Sequence, residues 1–186
     1  PWQPAGRTCR KRVSSSITAH RHRTPSPEMR FVCDEMLKRL GHWLRVAGYD
    51  VLILPDGSDD RELIECACRE SRLLLSSDRR LAEHGDAADW LVPLDCQGLD
   101  DCAAVLGRQL PIDWLYRPFS RCMLCNTPLR DASPAQRHRV PTAARRQTSI
   151  VRYCPTCDQL FWHGSHVDRM RERLQGWNRA ADPASG

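Results

Sequence analysis

Residues 30–60 read RFVCDEMLKRLGHWLRVAGYDVLILPDGSDD, a sequence that predicts a strand, a helix and a second strand in that order. Phe31-Val32-Cys33 is a short apolar run that stops at Asp34, and a helical pattern begins at the next residue. Gly48 is suited to end that helix, and residues 51–54 form a second apolar run before a turn. Acidic residues therefore follow both predicted strands.

The predicted helix at residues 35–47 has one apolar face, formed by Met36, Leu37, Leu40, Trp43, Leu44 and Ala47. Because their spacing follows the helical period, we expect these side chains in the core. Lys38, His42 and Arg45 fall on the opposite side of the helix. We expect that side to face away from the core.

Strands and helices continue to alternate as far as about residue 110. Residues 72–76 and 90–94 are predicted strands, residues 79–84 a short helix, and residues 99–110 a longer one. This order is typical of an α/β fold, in which right-handed crossovers cover both faces of a parallel sheet. All strands of such a sheet end at one edge, and that edge is where open α/β sheets bind ligands.

Aspartates stand at or just after the carboxyl ends of the predicted strands: Asp34, Asp60 with Asp59, Asp78 and, less clearly, Asp95. Folding would bring them to one edge, where crowded carboxylates are stable as anions only beside a cation. Oxygen ligands of this kind suit Mg²⁺ or Mn²⁺, which can position a water for attack on a phosphodiester. The alternative is that each aspartate caps a following helix and has no catalytic role.

Length and composition limit the class of protein. The 186 residues, 41% of them hydrophobic, allow one ordinary domain and a small appendage. No apolar stretch approaches the roughly 20 residues that cross a bilayer, and the first residues lack the apolar segment of a secretory signal. We therefore expect a soluble protein in the cytoplasm with no membrane partner.

The net charge of +5 conceals an uneven distribution. Lys and Arg outnumber Asp and Glu by 6 to 1 in residues 1–28 and by 11 to 5 in residues 121–186, whereas the acids lead by 17 to 11 in residues 29–120. An acidic centre suits a divalent metal, and Arg-rich flanks suit a polyanion such as RNA. The alternative is that the composition is rich in Arg for other reasons, and that these arginines lie on solvated surfaces without binding a partner.

Both ends of the chain are expected to be disordered, because residues 1–28 and 176–186 show no hydrophobic period. The basic residues 1–28 are either an extension upstream of the functional product or, less plausibly, a nucleic-acid-binding arm. Between the two ends we expect a first domain at residues 29–117 and a second module at residues 118–175. A short basic helix at residues 167–174 completes that module.

The second module contains two Cys-x-x-Cys pairs, Cys122 with Cys125 and Cys154 with Cys157. Four thiolates at this spacing predict a structural, tetrahedral Zn²⁺ site, in preference to a redox dithiol. The intervening residues show little core of their own, so zinc would supply most of the folding energy. We interpret the other six cysteines, including Cys96 and Cys102, as packing or incidental.

We expect arginines of the second module, together with two on the first helix, to bind the phosphates of an RNA backbone. The candidate RNA contacts are Arg39, Arg45, Arg121, Arg145, Arg146 and Arg152. His166 is expected either to contact phosphate or to make an ordinary hydrogen bond.

The combined pattern resembles the Mut-seven C-terminal RNase domain family, a PIN-like nuclease fold with a C-terminal zinc ribbon. The resemblance covers about residues 29–175. The matching residues of the first domain are 31–37 with Leu40, 43–45, 48–51, Asp60 with Leu63, and 73–75 with Asp78. Those of the second module are 119–122 with Cys125-Asn126, and Cys154-Pro155 with Cys157, Trp162 and 164–166. It implies metal-dependent cleavage of RNA, with Asp34, Asp60 and Asp78 as Mg²⁺ or Mn²⁺ ligands.

Two departures from the family pattern bear on the site. Ser76-Ser77-Asp78 stands where the family tends to have Thr-Arg-Asp, and the fourth acid, Asp95, matches poorly. The rival interpretation is a non-catalytic zinc-ribbon module that binds RNA. A third is a toxin-like nuclease, which would require an inhibitory protein partner.

Overall fold

The structure is a computed structural model that describes residues 29–83, 87 and 89–181. The predicted basic extension at residues 1–28 lies outside the described residues. None of the described helices combines the length and the apolar composition that crossing a lipid bilayer requires.

A parallel sheet forms the centre of the first domain. Within the described residues it has four strands in the order β2-β1-β3-β4, namely β1 Arg30–Cys33, β2 Asp50–Ile53, β3 Leu73–Ser76 and β4 Leu91–Pro93. Phe31 on β1 is in register with Val51 on one side and with Leu73 on the other. The predicted α/β fold with a parallel sheet is confirmed.

Helices cover both faces of this sheet, as predicted. A 3-10 helix at Glu35–Leu37 leads into α1, Lys38–Ala47, which packs with α3, Gly98–Gln109, over one hydrophobic cluster. Helix α2, Asp60–Glu70, and a 3-10 helix at Arg79–Glu83 contribute to a second cluster. Apolar side chains from the strands divide between the two clusters, because successive residues of a strand point to opposite faces.

Gly48 ends α1 and allows the next segment to pack closely. Its φ of 104° lies in the left-handed region, and a Cβ there would meet the carbonyl oxygen of Arg117 at 2.5 Å. The backbone N–H groups of Arg117 and Phe119 donate to the last carbonyls of the helix at 3.0 and 2.7 Å. A glycine is therefore required at the end of α1, where the segment that leads into the second module packs against it.

The second module is a small antiparallel sheet with two short helices. Its elements are β5 Arg130–Asp131, α4 Pro134–Arg137, α5 Thr142–Gln147, β6 Val151–Cys154 and β7 Gln159–Trp162. Ala132, Val140 and Val151 are buried together, so the module has a core, although a very small one.

Helix α6, Ser165–Ala180, is longer than predicted. The expectation that disorder begins at residue 176 is wrong for residues 176–181, and residues 182–186 lie outside the described residues. The indole of Trp177 packs at ring centroid distances of 5.1 Å from Trp43 and 4.8 Å from Trp114. Asn178 accepts a hydrogen bond from the Trp114 backbone N–H at 2.9 Å, so these contacts hold the last turns of the helix.

Two expectations about individual side chains are also corrected. Met36, predicted in the core, is 79% exposed, because residues 35–37 form a 3-10 helix and not the first turn of α1. Cys96 and Cys102, predicted as packing or incidental, form a disulfide that joins the segment after β4 to α3.

Candidate active site and metal centre

The carboxyl edge of the parallel sheet contains a topological switch point between β1 and β3. The chain leaves β1 toward β2 through α1, then crosses back over β1 through α2 to reach β3. Connections that diverge from two neighbouring strands leave a crevice at their carboxyl ends. Asp34 directly follows β1 and Ser76 is the last residue of β3, so both lie at this crevice.

Asp34 is a nearly buried carboxylate, 7% exposed. Its Oδ1 accepts a hydrogen bond from the backbone N–H of Leu37 at 3.0 Å, and its Oδ2 accepts one from the hydroxyl of Ser76. The Ser76 oxygen in turn accepts the backbone N–H of Asp78 at 2.9 Å. Ser76 therefore connects the two aspartates of the crevice, and we call Asp34, Ser76 and Asp78 the switch-point cluster.

Ser76 was not among the predicted catalytic residues. It has no exposed surface, and its hydroxyl reaches from the end of β3 to Asp34, a residue 42 positions away in the sequence. The only signal for it in the sequence is a hydroxyl residue at the end of an apolar run, next to a family-matching aspartate. That signal cannot reveal the contact with Asp34, because the contact depends on strand pairing.

The other predicted acids have different surroundings. Asp59 is the N-cap of α2: its Oδ1 accepts the Glu62 backbone N–H at 2.8 Å, and Glu62 accepts the Asp59 N–H in return. Asp60 is the first residue of α2 and is partly exposed. Asp95 pairs with Arg79 at 2.7 Å, and both side chains are exposed. The capping alternative thus accounts for Asp59, and Asp34 likewise caps the 3-10 helix at Glu35–Leu37 through the Leu37 N–H.

The predicted carboxylates do not form a compact ligand group. Among the described residues, only the four ribbon cysteines bring three or more Cys, His, Asp or Glu ligand atoms within 4.8 Å of one another. Asp34 and Asp78 are joined through Ser76, whereas Asp59 is occupied by its cap and Asp95 by its ion pair.

The four cysteines form a site that could hold zinc. The Sγ atoms of Cys125 and Cys154 lie 3.4 Å apart, and those of Cys122 and Cys157 lie 4.0 Å apart. A tetrahedral Zn²⁺ with Zn–S bonds of about 2.3 Å places its sulfurs about 3.8 Å apart. The observed distances fall on either side of that value, so the cluster fits the ion with small adjustments.

Ionisation of these thiols is uneven. Burial raises the pKa of Cys125, but contacts with the hydroxyl and N–H of Thr127 outweigh that effect and lower this pKa to about 6. Burial raises the pKa of Cys122, and the hydrogen bond with Cys125 raises the pKa of Cys157 to about 12. One thiol ionises readily and its charge holds protons on its neighbours, so four thiolates require a cation.

The first cysteine pair is attached to the amino end of β2. Asn126, which has a φ of 70°, accepts the Val51 N–H at 3.1 Å and donates to the carboxylate of Asp50 at 2.7 Å. Arg72 donates to the same carboxylate at 2.8 Å. Burial raises the pKa of Asp50, but these two donors outweigh that effect and lower this pKa below its usual value. Asn126 therefore joins the metal site to the edge strand.

Arg45 is buried, 4% exposed, and the expectation that it contacts RNA is wrong. Its Nε donates to the carbonyl of Val51 at 2.9 Å, and its Nη1 donates to those of Met123 and Leu124 at 3.0 and 2.6 Å. Helical spacing assigned Arg45 to the solvent side of α1, but the second module covers that side. The guanidinium thus donates to two carbonyls of the loop between Cys122 and Cys125.

Removing this guanidinium should destabilise the protein. We expect Arg45→Met to lower the free energy of unfolding by about 3 kcal/mol, since three carbonyls at a buried interface lose their donor. Arg39→Ala, an exposed change on the same helix, should stay within about 0.5 kcal/mol. Urea denaturation of the zinc-loaded proteins measures both. Equal stability of the two variants would contradict this role.

The remaining predicted RNA contacts differ in availability. Arg121 donates to the carbonyl of Asn126 at 3.0 Å, and Arg152 pairs with Asp131 at 3.0 Å. Arg145 contacts His138 at 2.9 Å, whereas Arg39 and Arg146 are exposed. The second module, which we also call the cysteine module, joins the sheet at the amino end of β2, opposite the edge that carries the switch-point cluster.

Comparison with known proteins identifies a family. A family profile described as "Mut7-C RNAse domain" matches residues 29–174. A human protein described as "Exonuclease mut-7 homolog" is 32% identical over 107 residues, which make up 55% of this chain and 12% of the relative. The chain therefore spans only a small part of that relative. No solved structure matches this chain significantly.

Proposed function

This chain belongs to the Mut7-C RNAse domain family, and we propose that it is a ribonuclease that cleaves RNA phosphodiester bonds at the carboxyl edge of its parallel sheet. The observation that carries the proposal is the switch-point cluster. A nearly buried carboxylate, Asp34, is tied through Ser76 to a second aspartate in the crevice where α/β sheets bind ligands. Burial of a carboxylate is costly and is typical of functional sites.

The cluster has the chemistry that a divalent ion requires. Each oxygen of Asp34 accepts one hydrogen bond and retains a further lone pair, and carboxylate oxygens are the ligands that Mg²⁺ and Mn²⁺ prefer. Asp78 uses Oδ1 to accept the Arg80 N–H at 2.8 Å, and no donor within the described part of the chain forms a hydrogen bond with its other oxygen. Asp34 and Asp78 would hold the ion, with Asp60 as the proposed third ligand.

A bound ion would supply Lewis-acid stabilisation of charge on the phosphate and lower the pKa of a water. The protein's own residues prepare the site. The Ser76 hydroxyl and the Leu37 N–H fix both oxygens of Asp34, so this ligand needs no reorientation when substrate binds. The hydrogen bond from the Asp78 N–H to the Ser76 hydroxyl keeps Asp78, the second proposed ligand, at the same edge of the sheet.

The cysteine module has a structural part in this proposal. Zinc bound by Cys122, Cys125, Cys154 and Cys157 would hold the Arg-rich module. Because the module joins the sheet at the edge opposite the switch-point cluster, its exposed arginines, including Arg146, would contact the RNA backbone away from the reacting phosphate. We propose a cytoplasmic location, because the four thiols must stay reduced to bind zinc; the Cys96–Cys102 disulfide would then be reduced in the cell.

The direct test is incubation of the zinc-loaded protein with defined single-stranded and structured RNAs, with and without Mn²⁺. We expect cleavage products that depend on added Mn²⁺, because the carboxylates need the ion to act on a phosphate. Binding of the RNAs without any cleavage in Mn²⁺ would contradict a ribonuclease.

A second candidate is a non-catalytic RNA-binding module. The observation that favours it is the charge of residues 121–186, where 11 basic residues face 5 acidic ones. Under that function the switch-point carboxylates would be helix caps alone, and RNA affinity would depend on the cysteine module and not on the sheet edge. Binding without cleavage in the same assay identifies this alternative.

A further inference from the structure

Two exposed ion pairs flank the switch-point cluster. Lys38, the first residue of α1, pairs with Asp56 at 2.8 Å, and Arg79, the residue after Asp78, pairs with Asp95 at 2.7 Å. In each pair the cation follows an inner strand, β1 or β3, and the carboxylate follows an outer strand, β2 or β4. Both cations therefore stand next to the cluster, one on each side, with their partner carboxylates farther out.

These pairs are easy to break. The side chains of Arg79 and Asp95 are 84% and 86% exposed, and those of Lys38 and Asp56 are 42% and 62% exposed. Ion pairs in water are worth at most about 1 kcal/mol, because the solvent screens both partners. A phosphate can displace such a carboxylate at small cost, and it offers Arg the same paired oxygens.

The spacing suits a nucleic-acid backbone that crosses the cluster. Neighbouring strands lie about 4.8 Å apart, so the edge from β2 to β4 extends over about 14 Å. A backbone laid along this edge presents one phosphate to the switch-point cluster and others to the cations beside it. Lys38 and Arg79 are then in place to hold the phosphates on either side of the reacting one.

We propose that Lys38 and Arg79 are the phosphate-binding residues of the candidate active site, and that Asp56 and Asp95 are their counter-ions, which the RNA backbone replaces on binding. The inference rests on the proposed ribonuclease function and specifies its substrate class as single-stranded RNA. Asp95 is thereby assigned a role outside catalysis, in contrast to the role that the sequence suggested for it.

Met36 is the reason for assigning a single strand. Its side chain is 79% exposed two residues after Asp34, at the same edge. Bases of a single strand have free faces on which apolar side chains can pack, whereas a duplex hides those faces in its stack. Methionine is flexible and polarizable, so it can pack against any base.

Asp95→Asn separates the two roles of Asp95 by the direction of its effect. If Asp95 is a counter-ion, its neutralisation frees Arg79 and lowers the KM for RNA by about threefold, the value of one exposed ion pair. If Asp95 is a catalytic acid, the same change reduces kcat. A rise in kcat/KM supports the inference, and a loss of kcat overturns it.

The experiment compares Asp95→Asn, Arg79→Ala and Met36→Ala with the wild type over a range of salt concentrations. We expect Arg79→Ala to raise KM about tenfold and to reduce the slope of log affinity against log salt by about 0.7, the loss of one phosphate contact. Met36→Ala should raise KM for single strands without changing that slope. Arg69→Ala, which removes an exposed paired arginine from the far end of α2, is the matched control.

Fluorescence anisotropy with a labelled single-stranded RNA in metal-free buffer measures affinity independently of cleavage. If the wild type cleaves RNA but Arg79→Ala and Arg69→Ala have the same KM and salt slope, this inference fails and the ribonuclease stands. If the wild type never cleaves, the ribonuclease proposal fails, whatever the order of the binding constants. Tighter binding to duplex than to single-stranded RNA overturns the assigned substrate class.

Discussion

Replacing Cys154 with serine should unfold the cysteine module and leave the parallel sheet folded. The module buries only Ala132, Val140 and Val151 in its own cluster, so it has little hydrophobic energy of its own. Zinc bound by four thiolates supplies about 10–16 kcal/mol in small zinc-binding peptides, which is as large as the whole stability of a typical domain. The loss of one buried ligand should remove most of that contribution.

Hydrogen exchange and zinc content measure this effect together. In the Cys154→Ser variant, the amides of β6 and β7 should lose protection and bound zinc should fall well below that of the wild type, while β1 and β3 stay protected. Cys157→His is the matched control, because histidine also binds zinc in tetrahedral sites and should keep both metal and fold. Full protection of β6 in Cys154→Ser would show that the module does not depend on zinc.

Replacing Asp34 and Asp78 together with asparagine should reduce RNA cleavage at least about a thousandfold, the scale seen when catalytic groups are removed. An amide is uncharged and is a weaker ligand for Mg²⁺ or Mn²⁺ than a carboxylate. The fold should survive, because asparagine caps helices as well as aspartate and its oxygen can accept the hydrogen bond from Ser76.

Initial rates in Mn²⁺ and thermal denaturation test this double variant. The matched control is Asp168→Asn on α6, which neutralises an exposed acid whose described partner is His163, away from the switch-point cluster. The control should cleave at the wild-type rate. Undiminished cleavage by the double variant, with a normal melting temperature, would exclude the cluster as the active site.

The parallel sheet was predictable because its strands are short apolar runs that end at acidic or turn residues. Residues 31–33 were predicted as the first strand, and β1 covers Arg30–Cys33. Once the order of strands and helices is known, the sheet must place Asp34 and Asp78 at one edge. Their approximate location follows from topology alone.

What the sequence could not reveal are contacts between segments distant along the chain. Helical spacing puts Arg45 on a polar side of α1, but it cannot show that the loop of Cys122 and Cys125 covers that side. The same holds for Trp177, whose partners Trp43 and Trp114 keep α6 helical beyond the predicted end. The pairing of Arg79 with Asp95 likewise depends on the order of the strands.

The central claim is that Asp34 and Asp78 form a divalent-metal site at the carboxyl edge of the sheet, separate from the four cysteines. Isothermal titration calorimetry of the zinc-loaded protein with Mn²⁺ tests this claim most directly. We predict that the wild type binds Mn²⁺ in addition to its zinc and that the Asp34→Asn, Asp78→Asn variant does not. Equal Mn²⁺ binding by the two proteins, or none by the wild type, would contradict the account.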